Sequence, residues 1–168
     1  MEGMNRGVAS QQAYLARQAD PFGTMLADLP ASPQPVTTLP IDIFYRCTSA
    51  SERSFDYAFH QGEWYHKGWR DSAWMPIGCG QGPHRRSSHA YADTTCSFRG
   101  GVAWHVSTLT SRSSVTIVEA RIDTHALDYR SVVNDSSDKG ERTSTAVCKE
   151  LEAATGRLVR DKQGWARE

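Results

Sequence analysis

The chain lacks a surplus of charge of either sign. Its 168 residues carry 19 basic and 19 acidic side chains, a formal net charge of zero. No chain-wide field gathers polyanions, which argues against bulk nucleic-acid binding. No apolar run reaches the roughly 18 to 20 residues that a membrane-crossing helix needs, so no membrane partner is expected. The opening MEGMNRGVASQQAYLARQADPF has no apolar h-region, so no secretory signal peptide is expected there. The expected location is that of a secreted or delivered effector without a signal peptide of the usual kind, or otherwise the cytoplasm. Cysteine is also sparse. Cys47, Cys79, Cys96 and Cys148 stand singly with no CxxC pair, which gives a structural zinc site weak support, and no metal is assigned. Four cysteines allow three disulfide pairings; the reading adopted is four reduced, partly buried thiols.

What is present suggests one domain with an appendage. Residues 1–37 are poor in large apolar side chains and hold Pro21, Pro30, Pro33 and Pro35. They read as a flexible Pro-rich tail with a short helix near SQQAYLARQ. Residues 38–168 read as the folded body. There IDIFYR (Ile41 to Arg46) is β-branched and aromatic, hence a strand. Ser49 and Glu52 have capping-box spacing, Phe55 and Phe59 lie four apart, and Gly62 is a natural terminator, which together predict a short helix. Glu63 to Gly101, rich in Trp, Gly and His, reads as a long irregular and functional segment. VAWHVST (Val102 to Thr108) and SVTIVEARI (Ser114 to Ile122) are further strands. TAVCKELEAATGRLVR reads as a closing helix, with Val147, Leu151, Ala154 and Leu158 on one face. The expected fold is therefore α+β: two packed antiparallel sheets with flanking short helices.

The residues that carry chemistry begin with Arg46, a guanidinium ending a strand. The segment FYRCTS…FDYAFHQG resembles the opening of the ADP-ribosyltransferase toxins of the cholera and pertussis group. VAWHVSTLTSR resembles that family's Ser-Thr-Ser strand, with Ser107 and Thr108 matching and Leu109 in place of the last serine. The resemblance implies a mono-ADP-ribosyltransferase effector or toxin that transfers ADP-ribose from NAD, its substrate, to a host or competitor protein (or a nucleic acid), or that hydrolyses NAD. It implies a monomer, accompanied by a chaperone or an immunity protein. Such a reaction passes through an oxocarbenium-like centre. It needs a cation on the pyrophosphate, a scaffold for the ribose and a carboxylate beside the developing charge. Arg46, with its planar fork, takes the first role, Tyr45 stacks beside it, and Ser107 and Thr108 order the ribose. Glu141, which opens the β-prone run RTSTAV after a polar loop, is the catalytic glutamate, with Glu119 as the alternative. The family's Glu-x-Glu or Gln-x-Glu triplet is absent. Trp64, Tyr65, Trp69 and Tyr91 are further candidates to stack on the dinucleotide.

Two other readings stand beside this one. In a small ribonuclease-type toxin, His66, His84, His89, His105 and His125 would supply acid–base groups, and Arg85 and Arg86 would hold phosphate. Strand alternation would put His105 and Ser107 on one face and Val106 and Thr108 on the other. In a non-catalytic binding domain, the Trp-rich segment would be the contact surface.

Overall fold

Polar and apolar residues alternate through most of the chain, and a period of two is the period of a strand. The computed structural model describes residues 29–39, 42–137 and 140–163. Among them are β1 (Ile43–Ser49), β2 (Ser54–His60), β3 (Glu63–Lys67), β4 (Met75–Pro76), β5 (His84–Ser87) and β6 (Ala90–Arg99). Then follow β7 (Val102–Ser111), β8 (Val115–Asp123), β9 (Asp128–Asp135), β10 (Gly140–Leu151) and β11 (Leu158–Arg160), with no helix among the described residues. All belong to one antiparallel sheet in the order β4-β3-β2-β1-β10-β9-β8-β7-β6-β5, with β11 on β10. The sheet curls into a half-barrel.

The α+β expectation, with two sheets and flanking helices, is thus corrected to an all-β fold. Both expected helices rested on apolar residues four apart. That spacing returns to the same side of a strand as well as of a helix, so it cannot choose between them. In β2 the deciding residue is Tyr57: Phe55, Tyr57 and Phe59 all pack toward the inner core. Glu52 sits at φ 60° in the β1–β2 turn, a left-handed conformation that the third residue of a helix cannot adopt. In β10 the inward residues are Ala146 and Cys148, two apart, while Val147 faces out. The stretch from Glu63 to Gly101, expected as an irregular loop, holds four strands. Its sequence carries hairpin signals. Gln61–Gly62 (φ 48° and 83°) joins β2 to β3, and Gly100–Gly101 (φ 59° and 79°) joins β6 to β7, each a two-residue turn with both residues left-handed.

Most of the expected tail, including the helix near SQQAYLARQ, lies outside the described residues. In its described part, Val36 exchanges backbone hydrogen bonds with Trp74 at 2.6 and 2.5 Å. Val36 and Leu39 lie over an outer cluster of Phe44, Ala58, Trp74 and Leu151. The inner core, on the concave side, is built on Tyr45, Tyr57, Trp64, Ile122 and Leu127.

The ends of the sheet are tied by the residues after β4. The Ile77 amide donates to the Trp64 carbonyl of β3 at 2.8 Å. Cys79 then forms a parallel bridge with Thr94 of β6, and the Gly80 amide donates to the Thr94 carbonyl at 2.9 Å. The Glu63 carboxylate accepts the Gly78 and Cys79 amides at 3.0 and 3.3 Å. A disulfide from Cys79 to Cys96 locks this strap onto β6. The other pair, Cys47–Cys148, links directly opposed residues of β1 and β10 in the inner core. No described cysteine is free, which corrects the expectation of reduced thiols. Facing positions on neighbouring strands bring the sulfurs together, a relation invisible in spacings of 101 and 17 residues.

Closing loops of those lengths removes chain entropy worth about 4.7 and about 3 kcal/mol in the loop-entropy account. The double variant Cys47→Ala/Cys148→Ala is expected to lose about 2–5 kcal/mol of unfolding free energy, read from the urea midpoint. Cys79→Ala/Cys96→Ala is expected to lose less. The reverse ranking would show that the strap disulfide, rather than the core disulfide, dominates stability.

Candidate functional site

Face alternation separates the residues expected to form a dinucleotide site. Arg46 ends up on the outer face. Its Nε and Nη2 donate to the two carboxylate oxygens of Asp56 on the paired strand β2, at 2.9 and 3.1 Å. Its guanidinium also sits 5.8 Å from the Phe44 ring centre. The hydrogen bond to Asp56 holds the Arg46 pKa above its ordinary value. Tyr45 points inward, is 3 % exposed, and has its phenol pushed up to about 12, chiefly by burial and then by Glu150. Ser107 faces inward and shares a 2.8 Å hydrogen bond with Thr94, whereas Thr108 is on the opposite face of β7. Glu141 is exposed on β10. Arg46 pairs with Lys149 of the same strand, so Glu141 lies roughly 26 Å further along it at about 3.3 Å per residue. Glu119 is on the outer face of β8 and accepts the Trp104 indole N–H at 3.0 Å. The structure therefore does not bring Arg46, Ser107, Thr108 and either glutamate into one cleft.

The aromatic candidates scatter too. Trp64 is buried in the inner core, and Tyr65 packs against the outer one. Trp69 is 53 % exposed, with the Arg70 and Arg53 guanidinium groups 4.2 and 5.2 Å from its ring centre. Among the described residues no cluster of three or more His, Cys, Asp or Glu side chains could hold a metal ion.

What the curl does bring together is a set of residues from its two arms. Tyr57 and His66, neighbours on β2 and β3, meet His105 and Ser107 of β7 and Thr94 of β6 around a pocket of about 180 Å³. Met75 and Pro76 of β4 and Ile77 of the strap, with Leu109 and Val118, supply apolar walls, and Arg86 stands at the exposed rim. Of the residues named for acid–base chemistry, His66, His105 and Arg86 converge here. His84 is buried elsewhere in the wall, while His89 and His125 are exposed.

The pocket's polar atoms form an ordered series. The Tyr57 hydroxyl lies 3.3 Å from His105 Nε2. Burial, with Tyr129 adding to it, raises the Tyr57 pKa well above the ordinary phenol value, so Tyr57 keeps its proton. Burial pushes His105 down to about 4, and the neighbouring His66 adds to the effect. His66 is lowered as well, first by burial; Asp71 and Asp56 oppose the shift and Arg86 reinforces it. At neutral pH both imidazoles are uncharged. The Tyr57–His105 contact can run in either direction according to the imidazole tautomer, and the other ring nitrogen of His105, Nδ1, is buried without a hydrogen-bond partner among the described residues. Sequence reasoning passed over Tyr57 and Thr94. The signal for both was present, since each sits at an inward position of an alternating strand, SFDYAFH and YADTTCSF.

No family model, no curated protein and no solved structure matches the chain.

Two measurements check this geometry. If Arg46 serves to pair the buried Asp56, Arg46→Met should cost about 1–3 kcal/mol, because it strands a carboxylate that is 7 % exposed; a melting temperature equal to wild type would contradict that role. His105 gives a pH signature. Between its unfolded value near 6.5 and its folded value of about 4, the unfolded chain takes up a proton that the folded protein refuses. Stability therefore falls as pH drops through that window, by up to roughly 3 kcal/mol from this residue. His105→Gln should flatten the difference between urea midpoints at pH 7 and pH 4.5; His66 supplies part of what remains.

Proposed function

We propose that this protein binds a small organic molecule in the interior pocket between the two arms of its curled sheet. The observation that carries the reading is the concave pocket itself, in which Tyr57, His66, Thr94, His105 and Ser107 from the two arms converge among mostly apolar walls. Apolar walls with a few convergent polar groups are the usual composition of small-molecule sites. At about 180 Å³ the pocket is smaller than the roughly 300–1,000 Å³ of sites that enclose drug-sized ligands, so its occupant is compact. A dinucleotide such as NAD does not fit inside it.

The same pocket weighs against the two catalytic readings. Transfer of ADP-ribose needs a cation, a hydroxyl scaffold and a carboxylate in one cleft, and Arg46, Ser107 and Glu141 are on different faces or far apart. Ribonuclease-type chemistry needs one imidazole charged as general acid near neutral pH. His105, at about 4, does not hold a proton there. Neutral imidazoles are, by contrast, good hydrogen-bonding groups for a bound ligand. The two disulfides fit a working life in an oxidising compartment, which agrees with a secreted protein.

The test uses 1-hexanol as a neutral probe. It is expected to bind with a dissociation constant on the order of millimolar, as suits seven heavy atoms. Binding should shift the NMR signals of Tyr57 and His105. Ser107→Phe, which fills the pocket, should still melt cooperatively and should lose the response. Shifts confined to surface residues, or a full response in Ser107→Phe, would remove the interior pocket as the site.

A further inference from the structure

The pocket lining is unusual in its charge. Arg86 is its one permanently charged side chain, and no carboxylate lines it. Arg86 comes from β5, at the point where the register between β5 and β6 slips past Arg85. It has the same parity as the buried His84, which stands opposite Ala92 of the lining, so its side chain is directed to the concave side, at the rim. Its charge is felt inside, since it contributes to lowering His66. No described carboxylate forms an ion pair with it. The two acids that His66 senses are occupied elsewhere: Asp56 is held by Arg46, and Asp71 accepts the Gly68 amide at 2.8 Å. The one group in the lining whose hydrogen-bonding character is fixed by permanent charge is therefore a donor: Arg86 has five donor N–H groups and no acceptor. Thr94 and Ser107, already bonded to each other, have a hydroxyl hydrogen to spare between them.

A rim cation above apolar walls complements one kind of occupant. We infer that the ligand is a small organic oxyanion, with a carboxylate or phosphate head held at Arg86 and a short apolar body against Ile77, Leu109 and Val118. The inference rests on the interior-pocket reading and adds the charge of the ligand to it. A neutral ligand would leave the Arg86 guanidinium with water alone. A cationic one would meet Arg86 without any compensating acid. An anion gains a charge-assisted, fork-shaped contact, the strongest hydrogen bond this lining can make.

The experiment compares three probes that share one six-carbon body: heptanoate, hexyl phosphate and 1-hexanol, titrated calorimetrically at pH 7 and low salt. At least one of the two anions is expected to bind about tenfold tighter than 1-hexanol, the gain of one hydrogen bond to a charged group. Which anion wins separates a carboxylate ligand from a phosphorylated one. In Arg86→Gln the preference should vanish, so that anion and alcohol bind alike, and Arg86→Lys should keep part of it. Because Arg86 is exposed, both variants should melt as the wild type does. If 1-hexanol binds as tightly as either anion, the oxyanion assignment is overturned while the pocket stands. If none of the three binds, the pocket reading falls with it. An anion preference that survives in Arg86→Gln would place the anion at another cation and overturn the assignment to this site.

Discussion

The architecture depends on the tie between the first and last parts of the sheet. A long antiparallel sheet twists and coils, but nothing in strand pairing alone obliges its ends to meet. Here the residues after β4 leave the edge at β3 and pair with β6, where the Cys79–Cys96 disulfide secures them. Glu63, at the start of β3, accepts two amides of that strap and so fixes the angle at which it departs. The arrangement also covers backbone groups that would otherwise form open edges, which are sites of unwanted pairing. Once the tie is made, β2 and β3 must face β6 and β7 across a concave space, and Tyr57 reaches His105 although 48 residues separate them in the chain.

That enclosed space is filled unevenly. One part is closed by aromatic packing: Phe55, Tyr57 and Tyr129 meet with ring centres 4.7 to 6.0 Å apart, and Phe59 stacks on Trp64 at 4.9 Å. Toward Thr94 and Ser107 the side chains become small and hydroxylated, and the packing opens. A sheet interior that served only stability would place Leu, Ile or Val at those positions, because apolar groups fill space without leaving polar atoms unpaired. The chain instead keeps two histidines neutral at an energetic cost that burial sets. The cost is local and specific to the pocket, in contrast to the outer cluster of Phe44, Ala58, Trp74 and Leu151, where no such polar group intrudes. Unevenness of this kind, with rigid aromatic support behind a small polar cavity, is what holds the donors of a binding site in place.

Much of the strand content was legible locally. The stretches expected as strands at Val102 to Thr108 and Ser114 to Ile122 lie within β7 and β8, bar the first residue of the second, and the face assignment of His105 with Ser107 against Val106 with Thr108 follows the pairing register. The helices were misread for a physical reason. Apolar residues four apart satisfy both periods, so Phe55 with Phe59 and Val147 with Leu151 carried no information until the residues between them were weighed. Tyr57 and the Ala146–Cys148 alternation settle the matter, as do the two left-handed turn pairs at Gln61–Gly62 and Gly100–Gly101. The disulfides were not legible, because they join positions whose adjacency arises only from strand order. The pocket was legible only in part: four of its polar residues, His66, His105, Ser107 and Arg86, were in view as chemistry-bearing groups, but nothing local says which of them converge.

Arg46 shows how a sheet assigns roles by parity. On β1, Tyr45 and Cys47 point to the concave side, so the residue between them has no access to it, whatever its chemistry. Its partner was fixed by the same rule, since Asp56 stands directly across on β2 and also faces outward. The pair is stabilised by proximity at a half-exposed site, and a guanidinium engaged by both oxygens of a carboxylate has little left to offer a phosphate. Arg86 is the converse case. It shares the parity of the buried His84, two residues before it and opposite Ala92 of the lining, and its side chain gains the rim of the cavity. In a protein built wholly of strands, parity decides both what is buried and which charge can reach the interior.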